Sequence, residues 1–141
     1  VLVPIGGGGL IAGSALAAKY FGDNCSVIGT EPFEVDDAYR SLISGKIETN
    51  ITTNTIADGL RTQLGDKNFP IILNEVKKII RITEDEIIDS MKLIWQRLKI
   101  ICEPSCSLPL AGVLKNKDNF KGKKIGIIIT GGNIDLYNLP F

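Results

Sequence analysis

The amino-acid sequence predicts an α/β fold, an open and mostly parallel twisted sheet with helices on both faces. Short apolar segments alternate with helical segments along the chain, as in strands joined by crossover helices. The segment 124–129 is almost uninterruptedly apolar, which is typical of a strand buried on both faces. Glycine-rich turns at residues 6–9 and 131–132 each follow a predicted strand, where α/β sheets bind ligands.

The elements of the first half follow from apolar runs and from the turn residues that close them. Ser44-Gly45 closes a helix, because glycine accepts the left-handed conformation in which helices end. The polar, threonine-rich stretch after it is predicted to be a loop. The predicted elements are strands over 1–5 and 26–30, helices over 10–20 and 36–43, and a loop over 46–54.

The second half contains the best-defined helix. Thr83 and Glu86 form a capping box at its start. Its apolar stripe recurs at helical spacing and is predicted to face a core: Ile87, Met91, Ile94, Leu98 and Ile101. The other predicted elements are a helix from Phe69-Pro70 to about Lys77, a strand over 79–82, a helix from Glu103 to Leu114, and the strand over 124–129.

Length and composition indicate one globular domain that acts on small molecules. The chain has 141 residues, 44% of them hydrophobic, and its 16 basic residues equal its 16 acidic ones. Balanced, interspersed charge argues against a nucleic-acid binder or a membrane-surface protein. No apolar run has the length of a membrane span. We therefore expect small-molecule ligands and a cytoplasmic protein.

Three cysteines and no histidine limit the metal and redox chemistry that the chain can carry. Cys25, Cys102 and Cys106 lack the paired spacing of a zinc site, and their odd number does not make a disulfide framework. Cys102 and Cys106 could pair with each other. The expected arrangement, however, is that of small buried residues in a cytosolic protein.

The four consecutive glycines at residues 6–9 are the strongest local signal for a ligand. Each costs roughly 0.5–1 kcal/mol relative to alanine in ordered structure, so a run of four needs compensation. Backbone N–H groups without neighbouring side chains, placed at the start of a helix, attract an anion. The turn is therefore predicted to bind a phosphate group.

The same turn also fits a dinucleotide site. Gly7-x-Gly9-x-x-Ala12 satisfies the glycine fingerprint, and Glu31 lies at the end of the next strand, about 20 residues on, where a ribose-binding acid belongs. From the turn alone, a nicotinamide dehydrogenase and an enzyme with another phosphate-bearing coenzyme are equally supported. A tight turn without a ligand is the third alternative.

Four motifs in a fixed order distinguish these alternatives. They are VPIGGGGLIAG at residues 3–13, TIADG at 55–59, EPS at 103–105 and ITGGNIDL at 129–136. Together they resemble the serine racemase and serine/threonine dehydratase family, which are pyridoxal phosphate enzymes of the tryptophan-synthase-like fold, fold type II. The resemblance covers essentially the whole chain.

The resemblance implies cofactor contacts at eight positions: Gly6, Gly7, Gly8, Gly9, Leu10, Gly59, Glu103 and Thr130. The glycines and the N–H of Leu10 match the family's phosphate cup. Thr130 matches a position, usually serine, whose hydroxyl bonds the pyridine nitrogen, and Glu103 matches a glutamate beside the ring. Without the resemblance, Glu103 is a helix-start acid and Thr130 a strand-end residue bonded to its own backbone.

Glu31, Val35 and Asp37 form a second cluster. Two carboxylates and one backbone carbonyl in a short loop suit Mg²⁺, Ca²⁺ or Mn²⁺ better than zinc. The resemblance implies the metal site of serine racemases, with Glu31, the Val35 carbonyl, Asp37 and waters as ligands. The alternative is a solvated acidic loop.

The resemblance implies a pyridoxal phosphate-dependent ammonia-lyase (dehydratase), a homodimer, that converts L-serine, L-threonine or a related β-hydroxy amino acid to a 2-oxo acid and ammonia. A neutral hydroxyl at Thr130 keeps the cofactor a weaker electron sink, which favours loss of a β-substituent. Serine racemase on the same scaffold is the alternative, because the bases that would separate the two reactions do not lie in this sequence.

The family's Ser-x-Lys-x-Arg-Gly segment, which carries the catalytic lysine, does not occur in this sequence, and Val1 begins within a strand without an initiator methionine. We therefore expect residues 1–141 to be the C-terminal portion of the large cofactor-binding domain, with the lysine and the small domain outside this chain. Such a portion is expected to be inactive alone. A binding module without enzymatic activity is the remaining alternative.

Overall fold

Three parallel strands form the sheet of the computed structural model, which describes all 141 residues, Val1–Phe141. They are β1 (Leu2–Pro4), β2 (Val27–Pro32) and β3 (Val76–Ile82), in the order β1-β2-β3. The register aligns Leu2 with Ile28 and Thr30 with Ile80. The predicted parallel α/β sheet is therefore confirmed.

Six helices accompany the sheet: α1 (Gly9–Phe21), α2 (Asp37–Ser44), α3 (Phe69–Glu75), α4 (Glu84–Leu93), α5 (Pro104–Lys115) and α6 (Lys117–Phe120). A 3₁₀ turn covers Asp58–Leu60, and a π-helical turn, Ile94–Leu98, continues α4. The longest helix, α1, has 13 residues, and none of the helices could serve as a membrane span.

Helices cover both faces of the sheet, because successive strand residues point to opposite sides. Val3 of β1 packs into a buried cluster with Ile11 of α1 and Ile72 of α3. On the other face, Leu2 lies in a separate cluster with side chains of α4 and α5, among them Leu108. Two cores therefore hold the carboxyl ends of the strands, and the turns that follow them, in fixed positions.

Local signals predict several helix ends correctly. Thr83 accepts a hydrogen bond from the Glu86 amide, and the Glu86 carboxylate accepts one from the Thr83 amide, so the capping box is present. Gly45 ends α2 in the left-handed conformation, with φ of 74°. Residues 46–54 contain no helix or strand, as predicted.

The π-helical turn changes the predicted stripe of the α4 segment. Ile87, Met91 and Ile94 are buried, but Leu98 and Ile101 are 58% and 55% exposed. Leu98 is the last residue of the π-helical turn, which holds more residues per turn than an α-helix and so shifts Leu98 out of phase with the stripe. Ile101 lies beyond the helix, which ends at Lys99 in the left-handed conformation, with φ of 58°. Elsewhere, α3 ends at Glu75 and β3 begins at Val76, three residues before the predicted strand, because Val76 already pairs with Val27.

The prediction of a doubly buried strand over residues 124–129 is wrong for this structure. The segment lies beside β1 and is joined to it by two hydrogen bonds, from the Leu2 amide to Gly126 O at 2.9 Å and from the Ile128 amide to Leu2 O at 3.2 Å. Ile125 and Ile129 are 38% and 37% exposed. No strand lies along its outer edge, so the segment forms an open edge of the sheet, and its side chains are only partly covered.

Candidate functional site

The glycine turn between β1 and α1 presents a row of free backbone donors. The N–H groups of residues 6 to 11 donate to no acceptor in the protein. Gly8 is the N-cap of α1, with φ of 86°, and neither a side-chain cap nor an acidic residue in the first turn competes for these donors. Free amides and the positive end of a helix dipole together make an anion-binding site.

Two of the four glycines are required by packing within the protein. A Cβ at Gly8 would lie 2.6 Å from Leu64 Cδ1, and its positive φ disfavours any other residue. A Cβ at Gly6 would lie 2.9 Å from Thr62 Oγ1 and 3.1 Å from the Gly59 carbonyl. Leu64, Thr62 and Gly59 all come from the segment after α2, so this segment fixes the back of the turn.

The other two glycines open onto a cleft. A Cβ at Gly7 or Gly9 would approach no protein atom closer than 3.7 Å and 4.0 Å, respectively. Protein packing therefore does not explain the missing side chains at these positions. A cradle that a Cβ would partly fill fits a bound phosphate group better than a turn without a ligand.

The cleft has a volume of about 220 Å³ and contains every cofactor-binding residue predicted from the sequence. Its lining includes Gly6, Gly7, Gly8, Gly9, Leu10, Gly59, Glu103 and Thr130, together with Ser105. Two other cavities are larger, of about 570 and 450 Å³, but neither contains the free amides of the glycine turn. The chemistry therefore points to the smaller cleft.

Glu103 positions the second glycine turn, residues 130–133. Its amide donates to the Gly131 carbonyl at 3.1 Å, and its Oε2 accepts from the Asn133 amide at 3.1 Å. A Cβ at Gly131 would lie 2.8 Å from Glu103 Oε1, so the turn lies directly against the carboxylate. This contact places Thr130, whose hydroxyl bonds no protein group, on the cleft.

Two polar side chains that the sequence did not single out hold the site together. The Ser105 hydroxyl, buried at the start of α5, accepts from the Gly59 amide at 3.1 Å. Asn68, the N-cap of α3, donates through Nδ2 to the Gly7 carbonyl at 2.9 Å. The Gly65 amide donates to the same carbonyl at 3.0 Å. Ser105 lies in the EPS motif, and Asn68 is a common N-cap residue type, but neither signal indicates these distant contacts.

Glu31, Val35 and Asp37 come together at the start of α2. The Glu31 carboxylate accepts from the amides of Ala38 and Tyr39 at 3.1 and 2.9 Å. Asp37 Oδ2 accepts from the Leu64 amide at 2.7 Å. Glu31 and Asp37 are each 1% exposed, and the Val35 carbonyl accepts no hydrogen bond from the protein.

The two buried carboxylates have no cationic partner. Arg40 and Arg81 pair with the neighbouring Asp36 instead, at 2.7 and 3.0 Å. Burial raises the pKa of Glu31 well above its ordinary value and also raises the pKa of Asp37. The alternative interpretation, a solvated acidic loop, is therefore wrong, since both carboxylates are buried. No group of three or more Asp, Glu, His or Cys side chains forms a cation site here.

The position of Glu31 also argues against the dinucleotide alternative. That alternative needs an exposed acid at the end of β2 to accept hydrogen bonds from ribose hydroxyls. Both Glu31 oxygens instead accept from the first amides of α2, inside the protein. The glycine turn therefore lacks the ribose-binding partner of a dinucleotide fold.

Comparison with known proteins agrees with this site. The profile of the family described as pyridoxal-phosphate dependent enzyme matches residues 1–131. The beta-hydroxyaspartate dehydratase of Paracoccus denitrificans is 45% identical over 141 residues, which are 100% of this chain and 45% of the relative.

Solved structures agree as well. The crystal structure of serine racemase from Dictyostelium discoideum is 50% identical, with a TM-score of 0.89 over 96% of this chain and 44% of its own. The crystal structure of a threonine deaminase from T.th. is 39% identical, with a TM-score of 0.90 over 95% of this chain and 49% of its own. The chain thus spans just under half the length of these proteins.

Proposed function

The chain belongs to the family of pyridoxal-phosphate dependent enzymes, and from that membership we propose that it forms part of an ammonia-lyase (dehydratase) for L-serine, L-threonine or a related β-hydroxy amino acid. The proposed products are a 2-oxo acid and ammonia. The relatives support the substrate class, since one is a beta-hydroxyaspartate dehydratase and one solved structure is a threonine deaminase.

The row of free amides on the cleft is the observation that carries this proposal. Six successive N–H groups without acceptors, at the start of a helix, supply the donors that a phosphate monoester needs. Glu103 and Thr130 line the same cleft, where the ring of pyridoxal phosphate would lie. The residues present therefore fit this cofactor.

Pyridoxal phosphate, when bound, draws electrons from the α-carbon of an amino acid. In the proposed site the amides of residues 6–10 would bind the phosphate, and the Thr130 hydroxyl would donate a hydrogen bond to the ring nitrogen. A hydroxyl is neutral and does not hold that nitrogen protonated, as a carboxylate would. This favours rapid loss of the β-hydroxyl of the substrate over a long-lived negative charge at its α-carbon.

We also propose that residues 1–141 are the C-terminal portion of a large cofactor-binding domain. The chain spans just under half of its relatives, and no segment with the family's Ser-x-Lys-x-Arg-Gly pattern occurs in it. The exposed apolar edge at residues 124–129 supports the same proposal, because a further strand would bury it. The catalytic lysine and the small domain would then lie outside this chain, and the isolated chain would be inactive. We further propose that the whole enzyme is a cytoplasmic homodimer.

The acidic pair at the start of α2 supports a divalent cation as a second component. We propose that Glu31, the Val35 carbonyl, Asp37 and waters bind Mg²⁺, Ca²⁺ or Mn²⁺. Oxygen donors suit these hard cations, and a cation would supply the positive charge that the buried carboxylates lack. Its role would be to stabilise the start of α2 and the contact of Asp37 with the Leu64 segment behind the phosphate cup.

Serine racemisation is the second candidate, favoured by the 50% identity to the serine racemase of known structure. The test is to express the complete gene, incubate the product with L-serine, L-threonine and L-threo-3-hydroxyaspartate, and measure both the 2-oxo acid and the D-amino acid. We expect the 2-oxo acid to dominate. Dominant D-serine would favour racemisation, and the absence of both products with all three substrates would contradict the proposed class.

A further inference from the structure

The turn over residues 65–68 holds the glycine turn before α1 through a single carbonyl group. The Gly7 carbonyl accepts from Asn68 Nδ2 at 2.9 Å and from the Gly65 amide at 3.0 Å. A Cβ at Gly65 would lie 3.1 Å from Asn68 Nδ2 and 3.4 Å from the Gly7 oxygen, so the two donors and their acceptor are closely packed. The amides of Asn68 and Phe69 both donate to the Gly65 carbonyl at 3.1 Å, which fixes the shape of the 65–68 turn.

The Asn68 side chain does not serve its own helix. Asparagine is favoured at an N-cap because its side-chain oxygen can accept from the first amides of the helix. Asn68 is the N-cap of α3, yet it makes no such capping hydrogen bond. Its side chain instead donates to Gly7, 61 residues away in the sequence. Helix capping therefore does not explain this side chain, whereas its contact with the glycine turn does.

The position of the Gly7 oxygen determines where the next amide points. No peptide bond of the chain is cis, and in a trans peptide the C=O and N–H groups point in opposite directions. The Gly7 oxygen is turned towards the 65–68 turn, so the Gly8 N–H is turned away from it and finds no acceptor in the protein. Gly7 and Gly8 both line the cleft. The two donors on Gly7 therefore direct the Gly8 N–H towards the cleft.

Two successive glycines need such a restraint from outside the turn. Because neither residue has a Cβ, the peptide group between Gly7 and Gly8 can rotate at low cost. A rotated peptide would replace the Gly8 N–H in the cleft with the Gly7 oxygen, whose partial negative charge repels a phosphate group. Asn68 and the Gly65 amide stabilise the orientation that donates.

We propose that Asn68 is a positioning residue for the phosphate group, because it holds the peptide between Gly7 and Gly8 with its N–H directed into the cleft. This role rests on the proposed function, in which pyridoxal phosphate supplies the phosphate. Asn68 itself does not line the cleft, so it does not contact the ring of the coenzyme. Its removal should therefore weaken the binding of pyridoxal phosphate but not of pyridoxal, the same coenzyme without the phosphate.

Two variants and a matched control test this role in the product of the complete gene, freed of its cofactor. Asn68→Ala removes the donor, and Asn68→Ser keeps a residue type favoured at an N-cap but is too short to reach Gly7. One lost hydrogen bond should raise the Kd for pyridoxal phosphate about three- to tenfold in each variant and leave the Kd for pyridoxal within about twofold. Asn74→Ala, at a side chain that donates to Pro70 within α3, should change neither Kd.

Equilibrium dialysis measures both dissociation constants, and thermal melting of the cofactor-free proteins compares their folding. A wild-type Kd for pyridoxal phosphate in both Asn68 variants would overturn the positioning role. An equal loss of affinity for pyridoxal phosphate and for pyridoxal would overturn it as well, because a general disturbance of the cleft affects both ligands.

Inorganic phosphate separates a failure of this role from a failure of the proposed function. Isothermal titration calorimetry should show that the wild type binds phosphate and that Asn68→Ala binds it more weakly. Phosphate binding that depends on Asn68, without any binding of pyridoxal phosphate, would contradict the proposed coenzyme and support the positioning role. Phosphate binding that Asn68→Ala leaves unchanged would overturn the positioning role, while binding of pyridoxal phosphate by the wild type would still support the proposed function.

Discussion

The Glu103 carboxylate accepts a 3.1 Å hydrogen bond from the Asn133 amide and thereby joins the start of α5 to the turn that follows residues 124–129. The Glu103 amide makes a second link to the same turn, at Gly131. One residue thus fixes the turn at both ends. Local sequence alone marks Glu103 as an acid at a helix start, whereas in the structure it fixes the start of α5 against the second glycine turn.

Replacing Glu103 should separate this positioning role from its charge. Glu103→Gln keeps an amide oxygen to accept from Asn133, so we expect nearly wild-type retention of pyridoxal phosphate. Glu103→Ala removes the acceptor, and a lost hydrogen bond of about 1–2 kcal/mol should weaken retention by roughly tenfold. Equilibrium dialysis of the complete gene product measures both. Equal retention by the two variants would contradict the positioning role.

Substitutions at Gly7 and Gly8 should affect different properties: the first should reduce cofactor binding, and the second should reduce the stability of the fold. A Cβ at Gly7 would lie 3.7 Å from the nearest protein atom, which is ordinary contact, so Gly7→Val should preserve the fold while its side chain displaces pyridoxal phosphate from the cleft. Gly8→Ala places a Cβ against Leu64 in a left-handed residue, so we expect a loss of about 1–3 kcal/mol of stability.

Thermal melting with and without the cofactor distinguishes the two effects. Gly9→Ala is a milder companion to Gly7→Val, because its Cβ would also come no closer to the protein than ordinary van der Waals contact. Wild-type cofactor retention by Gly7→Val would remove the phosphate assignment.

The buried acidic pair predicts a stability that depends on both pH and cation. Burial raises the pKa of Glu31 and Asp37 in the folded state, so the folded protein binds more protons than the unfolded one above about pH 4.5, the ordinary value for glutamate. Stability without a cation should therefore fall as pH rises from there towards neutrality. Added Mg²⁺ or Ca²⁺ should restore it, because the cation takes the place of the bound proton.

Asp37→Asn is the matched variant for this site. Asparagine can still accept from the Leu64 amide but does not ionise, so both the pH-dependent loss and the cation response should shrink. Melting temperatures with EDTA and with excess Mg²⁺, from about pH 5 to about pH 8, measure this. Melting temperatures that are the same with EDTA and with Mg²⁺ throughout this range would exclude the cation site.

Arg81 should contribute to stability through its flat guanidinium group. It lies 4.4 Å from the ring centres of both Phe33 and Tyr39 and pairs with Asp36 at 3.0 Å. Lysine keeps the charge but does not stack in this way, so we expect Arg81→Lys to cost about 1–2 kcal/mol. Arg97→Lys, at an exposed arginine without an ion pair, is the control for chemical denaturation. Equal denaturation midpoints for Arg81→Lys and Arg97→Lys would contradict the stabilising role of Arg81.

Local sequence patterns were sufficient wherever the physical cause is local. The capping box at Thr83, the left-handed end at Gly45 and the glycine run before α1 each act within a few residues, so their positions can be predicted directly. The alternation of apolar runs and helices likewise predicted a parallel sheet covered on both faces. The motifs around Gly7, Glu103 and Thr130 indicated the family, which the comparisons confirmed.

Other features depend on residues that meet only in the folded chain. The Leu64 side chain packs against Gly8, and the Leu64 amide donates a hydrogen bond to Asp37. The segment around Leu64 therefore connects the phosphate cup to the acidic pair. The π-helical turn that exposes Leu98 arises where Trp95 donates to the Cys102 carbonyl, a contact no periodicity indicates.

The sequence by itself determined the alternation of strands and helices, several of the helix ends, and the residue types available for an anion site, because these follow from backbone preferences over a few residues. The tertiary structure decided which of those residues share the cleft, which carboxylates lose contact with water, and which edge of the sheet remains open. Those outcomes depend on packing between segments far apart in the chain, where close approach and desolvation, rather than local preference, set the free energy.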